Sequence, residues 1–436
     1  MSLRAAFAVL LALIPMLSPA SARAARDAEQ AAVVDSLFAG STLDLSALER
    51  AVMVRNPSLA AMRSAWQAME ARADRAGAWD DPRLTGMVAP RSLGSSDVDP
   101  GYSVEITQMV PLFGPRAAMG KASRAMARSM LEDYRAMRLE MLRAARGLYF
   151  QLFLLARSIE VNRELADLMA QFRRVALQKY SAGVVGQQDA LQAELELAML
   201  DHQIVSLGRT RGETQARLRA LVHDETDRPF PDPPPELPHI EHALADTTFR
   251  AAAQNRPEIR ARQAAVEARR FEIAAAGRTR VPELMLLGRY DRAMDAPEWR
   301  TMVGAGVTLP IWFGKNAAGV REAKQGLRQA SEEALAVSDS IRAQVDIARE
   351  RVRETSHELE IVETRVVPAS ERALASVRAG YEANRSDFLT LLTAERDLAR
   401  ARLDRYQSIA MVHVALADLE RAIGLEPASL REEEPR

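Results

Sequence analysis

The sequence predicts a mainly α-helical protein that carries two β-hairpins and is built as two copies of one structural unit. Three observations carry that prediction. Long tracts of Ala and Leu interleaved with Arg, Glu and Gln run without proline, as extended helices with narrow apolar stripes do. Two segments alternate apolar with polar residues between Pro and Gly, the signature of paired strands. Both textures recur about 200 residues apart, in the same order.

The N-terminus reads as an export signal over residues 1–24. Arg4 gives the charge, Ala5 to Leu17 the apolar run, and Ala22-Arg23-Ala24 a small-x-small cleavage site. The first repeat is expected over 25–225. It opens with a helical tract from Leu43 to Ala78, continues with strands at Arg83 to Ala89 and Tyr102 to Val110, and then runs helically from Arg116 to Lys179. At 1.5 Å per residue that last tract spans roughly 96 Å, so it must pack lengthwise on partners. The six prolines between Pro229 and Pro238 mark a linker, 226–240, expected to be an extended surface connection. The second repeat, 241–424, has helical tracts at Ala243 to Arg278 and Asn316 to Val367, with strands at Glu283 to Tyr290 and Arg300 to Leu309 between them. Helix resumes after Pro368, and the charged tail 425–436 is expected to be disordered.

The correspondence between the halves is detailed. Asn56-Pro57 and Pro82-Arg83-Leu84 are echoed by Asn255-Arg256-Pro257 and Pro282-Glu283-Leu284, with 25 residues from proline to proline in each half. Val110-Pro111-Leu112-Phe113-Gly114 recurs as Leu309-Pro310-Ile311-Trp312-Phe313-Gly314. Tyr180-Ser181-Ala182-Gly183, leading to Leu191-Gln192-Ala193-Glu194, recurs as Tyr381-Glu382-Ala383-Asn384, leading to Leu392-Thr393-Ala394-Glu395.

Bulk properties narrow the function. Lys+Arg 58 against Asp+Glu 59 gives no electrostatic footprint for nucleic acid. The absence of cysteine excludes disulfide scaffolds, thiolate metal sites and lipid attachment through an N-terminal cysteine. No stretch approaches the roughly 20 apolar residues of a transmembrane helix. Strands of this length fit either a tilted bilayer crossing or a half-buried soluble hairpin. Four strands cannot close a barrel in lipid without leaving edges unpaired, whereas three chains supply twelve strands and a water-filled lumen.

In this arrangement the chain resembles the TolC-like outer-membrane efflux family over nearly its whole mature length. The matching motifs are Asn56-Pro57, Pro111-Leu112-Phe113-Gly114, Tyr180-x-x-Gly183 with Asp189-x-Leu191-x-Ala193-Glu194, and their second-half counterparts; their order and double occurrence carry the specificity. The Leu-Phe-Gly and Trp-Phe-Gly turns look most like the branch serving heavy-metal cation pumps of the resistance-nodulation-division class. The resemblance implies a homotrimer with a 12-stranded outer-membrane β-barrel continued by a 12-helix periplasmic α-barrel. It implies a passive exit duct for metal cations or drugs, set in outer-membrane lipid and docked to a periplasmic adaptor and an inner-membrane pump. It implies no cofactor.

The resemblance also places Tyr180 to Glu194 and Tyr381 to Glu395 at a periplasmic tip that closes like an iris. Tyr180, Gly183, Gly186, Asp189, Tyr381, Asn384, Thr390 and Thr393 are therefore the gate and adaptor-contact candidates. Asp189 matches an acidic gate position, while Thr390 and Thr393 stand where the prototype has aspartates. Each residue has a plainer role open to it. Asp189 also fits a helix cap, the two tyrosines fit packing anchors, and Gly183 and Gly186 fit turn positions with positive φ. Phe113, Trp312 and Phe313 fit either an aromatic girdle at the membrane interface or ordinary core.

No metal site is expected. His239 and His242 lack a third ligand, and Met285, Met294 and Met302 serve equally as gap-filling core. The chain shows no nucleophile elbow, P-loop or dinucleotide fingerprint, so an enzyme is not expected. The competing functions are a periplasmic adaptor, which should carry compact β domains, and a coiled-coil structural tether of an envelope complex, which should lack paired strands.

Overall fold

The structure is a computed structural model that describes residues 32–89, 101–110, 114–183, 186–238, 253–292, 300–383 and 385–426. The export signal, Phe113, Asn384, Met294, His239, His242 and the tail beyond Glu426 lie outside the described residues.

Helix α1 (residues 32–38) leads into α2 (Leu45–Arg55) and α3 (Pro57–Ala76). A single tract was expected here, but Asn56 is extended at φ −64°, ψ 121°. Pro57 is the cause: its ring crowds the preceding residue out of helical geometry and then starts a new helix at its first position. Strands β1 (Arg83–Ala89) and β2 (Gly101–Val110) follow, then α4 (Arg116–Ser181), 66 residues long, and α5 (Gln188–Val222). The second half holds α6 (Pro257–Arg278), β3 (Glu283–Asp291), β4 (Thr301–Thr308), α7 (Phe313–Ile361), α8 (Val367–Glu382) and α9 (Phe388–Ile423).

Pro368 does not end the helix, contrary to the sequence expectation. A π-helical turn at Val362–Val366 joins α7 to α8, and helix continues through the proline. Proline cannot donate to the ladder and collides with the carbonyl four residues back; a local change to wider winding accommodates both.

Helix α4 is the spine. Its N-terminal part lies between α3 and α6, where Gly120 and Gly77 approach so closely that a Cβ on Gly120 would sit 3.2 Å from the Gly77 Cα. Arg128 pairs with Glu267 at 2.8 Å and Arg260 with Glu132 at 3.1 Å along the α6 side. Toward its C-terminus α4 packs Leu165 and Met169 against Ala193 and Leu200 of α5 and against Phe388 and Leu392 of α9. Helix α9 in turn covers Leu374 of α8 with Leu391 and Leu398. The helices at this end therefore run side by side as α5, α4, α9, α8.

Midway along α4, Tyr149, Phe150, Leu152 and Phe153 meet Leu48 and Val52 of α2 and Leu218 and Val222 of α5 in the largest core. The proline-rich linker joins this core. It is extended, but Phe230 is 1% exposed and stacks on Phe38 at 5.2 Å, so the connection is anchored inside rather than lying free on the surface.

The four strands form one antiparallel sheet in the order β1-β2-β3-β4. The two hairpins join through β2 and β3, with Val104 opposite Tyr290 and Ile106 opposite Gly288. Among the described residues, β1 and β4 each keep one edge without a strand partner.

Candidate gate at the helical tip and the two-faced sheet

At the tip, α4 ends on Ser181 and the chain reverses through Gly183, which has φ +71°. Any side chain at Gly183 would strain that conformation. Gly186 does not share it: among the described residues glycine φ is positive only at Gly183 and Gly424, so a positive-φ requirement does not explain Gly186.

Helix α5 starts after Gln187, which makes no side-chain cap, and Asp189 lies in the first turn. Asp189 is therefore not the helix cap; its carboxylate stands near the positive end of the α5 dipole. Burial raises its pKa, the charge of Asp387 raises it further, and Lys179 acts in the opposite direction. Lys179 lies over the Tyr381 ring at 4.6 Å from the centroid and donates from Nζ to Tyr381 Oη at 3.3 Å. This contact bridges the end of α4 to the end of α8.

The second tip segment holds the residue that sequence reasoning missed. Asp387 caps α9 by accepting from the Thr390 backbone N–H at 2.8 Å, and hydrogen bonding from the Thr390 side chain, then from its backbone, holds the Asp387 carboxyl below the usual range. Thr390 itself is exposed, and Thr393 Oγ1 donates back to the Leu389 carbonyl at 2.8 Å. The second half thus supplies its carboxylate three residues before Thr390. The signal was present: Asp three residues before a residue in the first turn, next to an apolar start, is an N-cap pattern. Gly380 leaves room for the Ser386 hydroxyl, which would have to turn aside for a Cβ there.

The tyrosines divide. Tyr381 packs with Leu374, Leu391 and Phe172, whereas Tyr180 is 46% exposed. Glu395, buried on α9, pairs with Arg378 of α8 at 2.7 Å, and Glu196 of α5 pairs with Arg396 of α9 at 3.3 Å. Those two carboxylates hold helices together, while Asp189 and Asp387 stand at the turns.

At the other end of the molecule the sheet has two unlike faces. Strand alternation puts Leu84, Val88, Val104, Ile106, Leu286, Tyr290, Val303 and Val307 on one face, and all eight are exposed. The opposite face carries Thr85, Ser103, Glu105, Thr107, Arg289 and Asp291, with Arg289 paired to Asp291 at 2.7 Å. Met285 lies on this polar face above Gly306, where a Cβ would come within 2.8 Å of its terminal methyl. Met285 is thus a gap filler over glycine. Among the described residues, no group of three His, Asp or Glu side chains could hold a metal ion, and no helix is long and apolar enough to cross a membrane. An apolar face against a polar one across four strands is the pattern of a wall between lipid and water.

Trp312 and Phe313 follow β4 and are 72% and 76% exposed, so they are not core.

Known proteins share this arrangement. The profile described as Outer membrane efflux protein matches residues 49–222 and 249–425. The cobalt-zinc-cadmium resistance protein CzcC of Cupriavidus metallidurans is 21% identical over 276 residues, a match spanning 63% of this chain and 66% of that protein, just under two thirds of its length. Among solved structures, the outer-membrane channel OprN superposes with a TM-score of 0.76 at 20% identity, covering 88% of this chain and 90% of its own. The Campylobacter jejuni CmeC outer membrane channel superposes with a TM-score of 0.75 at 16% identity, covering 87% and 85%. These structures share the TolC-like fold, and the profile match spans both halves of the sequence: the chain belongs to the outer membrane efflux protein family.

Proposed function

We propose that this outer-membrane protein is the exit duct of a tripartite efflux assembly, working as a homotrimer that receives cargo from an inner-membrane pump through a periplasmic adaptor. The observation that carries the reading is the sheet. It is apolar on one face, polar on the other and, among the described residues, unpaired at both edges, so it is stable in lipid only when neighbouring copies cover those edges. Three copies place twelve strands in one barrel, wide enough for a water-filled lumen. The side-by-side order α5, α4, α9, α8 gives each copy four neighbouring helices at the tip, and three copies give twelve.

In this reading the tip carries the gate. Asp189 and Asp387 set carboxylates at the two turns, and the Lys179–Tyr381 contact holds the two turns of one copy in register. The duct binds no cofactor and performs no chemistry; it supplies a route. The cargo we favour is a divalent metal cation, on the strength of the similarity to the cobalt-zinc-cadmium resistance protein. Drug-like cargo is the second reading, and growth separates the two. A deletion strain should lose tolerance to cobalt, zinc or cadmium and regain it with the plasmid-borne gene. Unchanged metal tolerance with lost tolerance to dyes or antibiotics would reverse that order.

A further inference from the structure

We infer that the helical end of the sheet is a docking surface for anionic phospholipid of the periplasm-facing leaflet. Ile311, Trp312 and Phe313 take the glycerol and acyl region, while Lys315, which lines their hollow, and Arg280, three residues before the Glu283 that pairs with Thr308, take the phosphate. The inference rests on the reading that the sheet spans the outer membrane.

Several independent features meet here. After Thr308 the chain makes two successive tight turns, with Ile311 N donating to the Leu309 carbonyl at 3.0 Å and Phe313 N to the Ile311 carbonyl at 3.1 Å. Leu309, Ile311, Trp312 and Phe313 all stand exposed as a result. Ile311, Trp312, Phe313, Gly314 and Lys315 line an open hollow of about 650 Å³, so a cation sits at the rim of an aromatic and aliphatic cradle. Trp79, 64% exposed, lies at the same end of the sheet, just before β1.

The charges decide what fills the cradle. Arg116, near this level, is engaged by Asp80 and by the Ala78 carbonyl. Arg278, Arg280 and Lys315 are exposed, and among the described residues none of them forms an ion pair with a carboxylate. Glu283 is the acidic residue at the start of β3, but alternation sets it on the opposite face from Leu284, across from Thr308. The sheet therefore ends at exposed aromatics with Lys315 beside them and Arg280 on the segment entering β3, and among the described residues neither cation is in an ion pair. The acidic residues at this end are Asp80, held by Arg116, Asp81 before β1 and Glu283. Aromatic side chains with an apolar body and a polar edge prefer the headgroup level, and basic side chains near that level attract anionic lipid. A zwitterionic headgroup brings its own cation and gains less from Lys315 and Arg280.

The test uses the full chain reconstituted in vesicles of phosphatidylcholine doped with brominated lipid, which quenches tryptophan on contact. Brominated phosphatidylglycerol should quench more strongly than brominated phosphatidylcholine at equal mole fraction. The replacements Arg280→Gln and Lys315→Gln together should remove that preference, with about fivefold lost per cation, while carbonate-resistant insertion stays unchanged. Equal quenching by the two lipids in the inserted wild type overturns the inference, as does a preference that survives in the double variant. Failure of the wild type to insert at all overturns instead the membrane-spanning reading on which it rests.

Discussion

The Asn56 side-chain amide donates to the Leu221 carbonyl at 2.9 Å, tying the start of α3 to the end of α5. Its Oδ1 accepts from the backbone N–H groups of Ser58 and Leu59 at 3.0 and 3.1 Å, so one residue both caps a helix and closes a joint. In the second half Arg256 holds the corresponding place before Pro257, and its Nη1 donates to the Ala422 carbonyl at 3.2 Å. The same joint is made twice with different chemistry. The counterpart of Asn56 is thus Arg256 rather than Asn255.

Replacing Asn56 with Ala removes a cap and leaves a tethered carbonyl without its donor, at a cost of about 2–3 kcal/mol. Asn56→Asp keeps the acceptor and loses the donor, so about half of that loss is expected. Denaturant midpoints of the three proteins check the order. Identical midpoints for the wild type and Asn56→Ala would show that the joint carries no stability.

The sheet faces predict an asymmetric mutational response. Val104 and Ile106 lie on the exposed apolar face, and a charge toward lipid near the midplane costs roughly 2–4 kcal/mol. Val104→Arg and Ile106→Arg should therefore impair insertion, whereas Glu105→Arg, on the polar face, should insert normally. Equal yields of membrane-inserted protein for all three would contradict a transmembrane strand in this register.

His413 predicts a pH dependence. It stacks on Phe150 at 4.7 Å, and burial pushes its pKa down from 6.5 to about 4. Below 6.5 the unfolded chain takes up a proton that the folded chain refuses, so stability is lost as pH falls from about 6.5 toward 4. The full linkage is on the order of 3 kcal/mol, and partial exposure trims it to about 2. His413→Phe keeps the stacked ring and removes the titration. Its thermal midpoint should fall less than that of the wild type between neutral pH and pH about 4. Parallel melting curves for the two proteins would assign the acid sensitivity elsewhere.

Asp189 supplies the test of the gate. Its raised pKa means that ionisation costs stability at neutral pH, a cost relieved as pH falls through its folded-state value; Asp387, with its lowered pKa, behaves oppositely. Three copies of each would focus cations at a shared aperture. Asp189→Asn should weaken block by divalent cations in planar-bilayer recordings without loosening the assembly, and Thr390→Asp should strengthen it. Conductance and block unchanged in both variants would remove Asp189 from the pore.

Much of this architecture was legible because its signals are periodic. Two-residue alternation gave β1 to β4 to within a residue at their ends, and an unbroken helical pattern gave α4. What escaped depended on tertiary contacts or on single residues. Phe230 lies in a proline-rich run that has no period, so nothing local showed that its ring belongs to the Leu48–Phe153 core. Pro368 looked like a stop because the widened turn that absorbs it has no local sequence signature. At the tip, matching Thr390 to Asp189 by its distance from the tyrosine concealed Asp387, since the second turn places its acid as a cap rather than inside the helix.

If three copies share their sheet edges in one barrel, the mass of the detergent-extracted, membrane-inserted protein reveals it. A single species of three chains is expected, because a four-stranded sheet alone leaves two backbone edges unsatisfied in lipid. A stable, membrane-inserted monomer would contradict it.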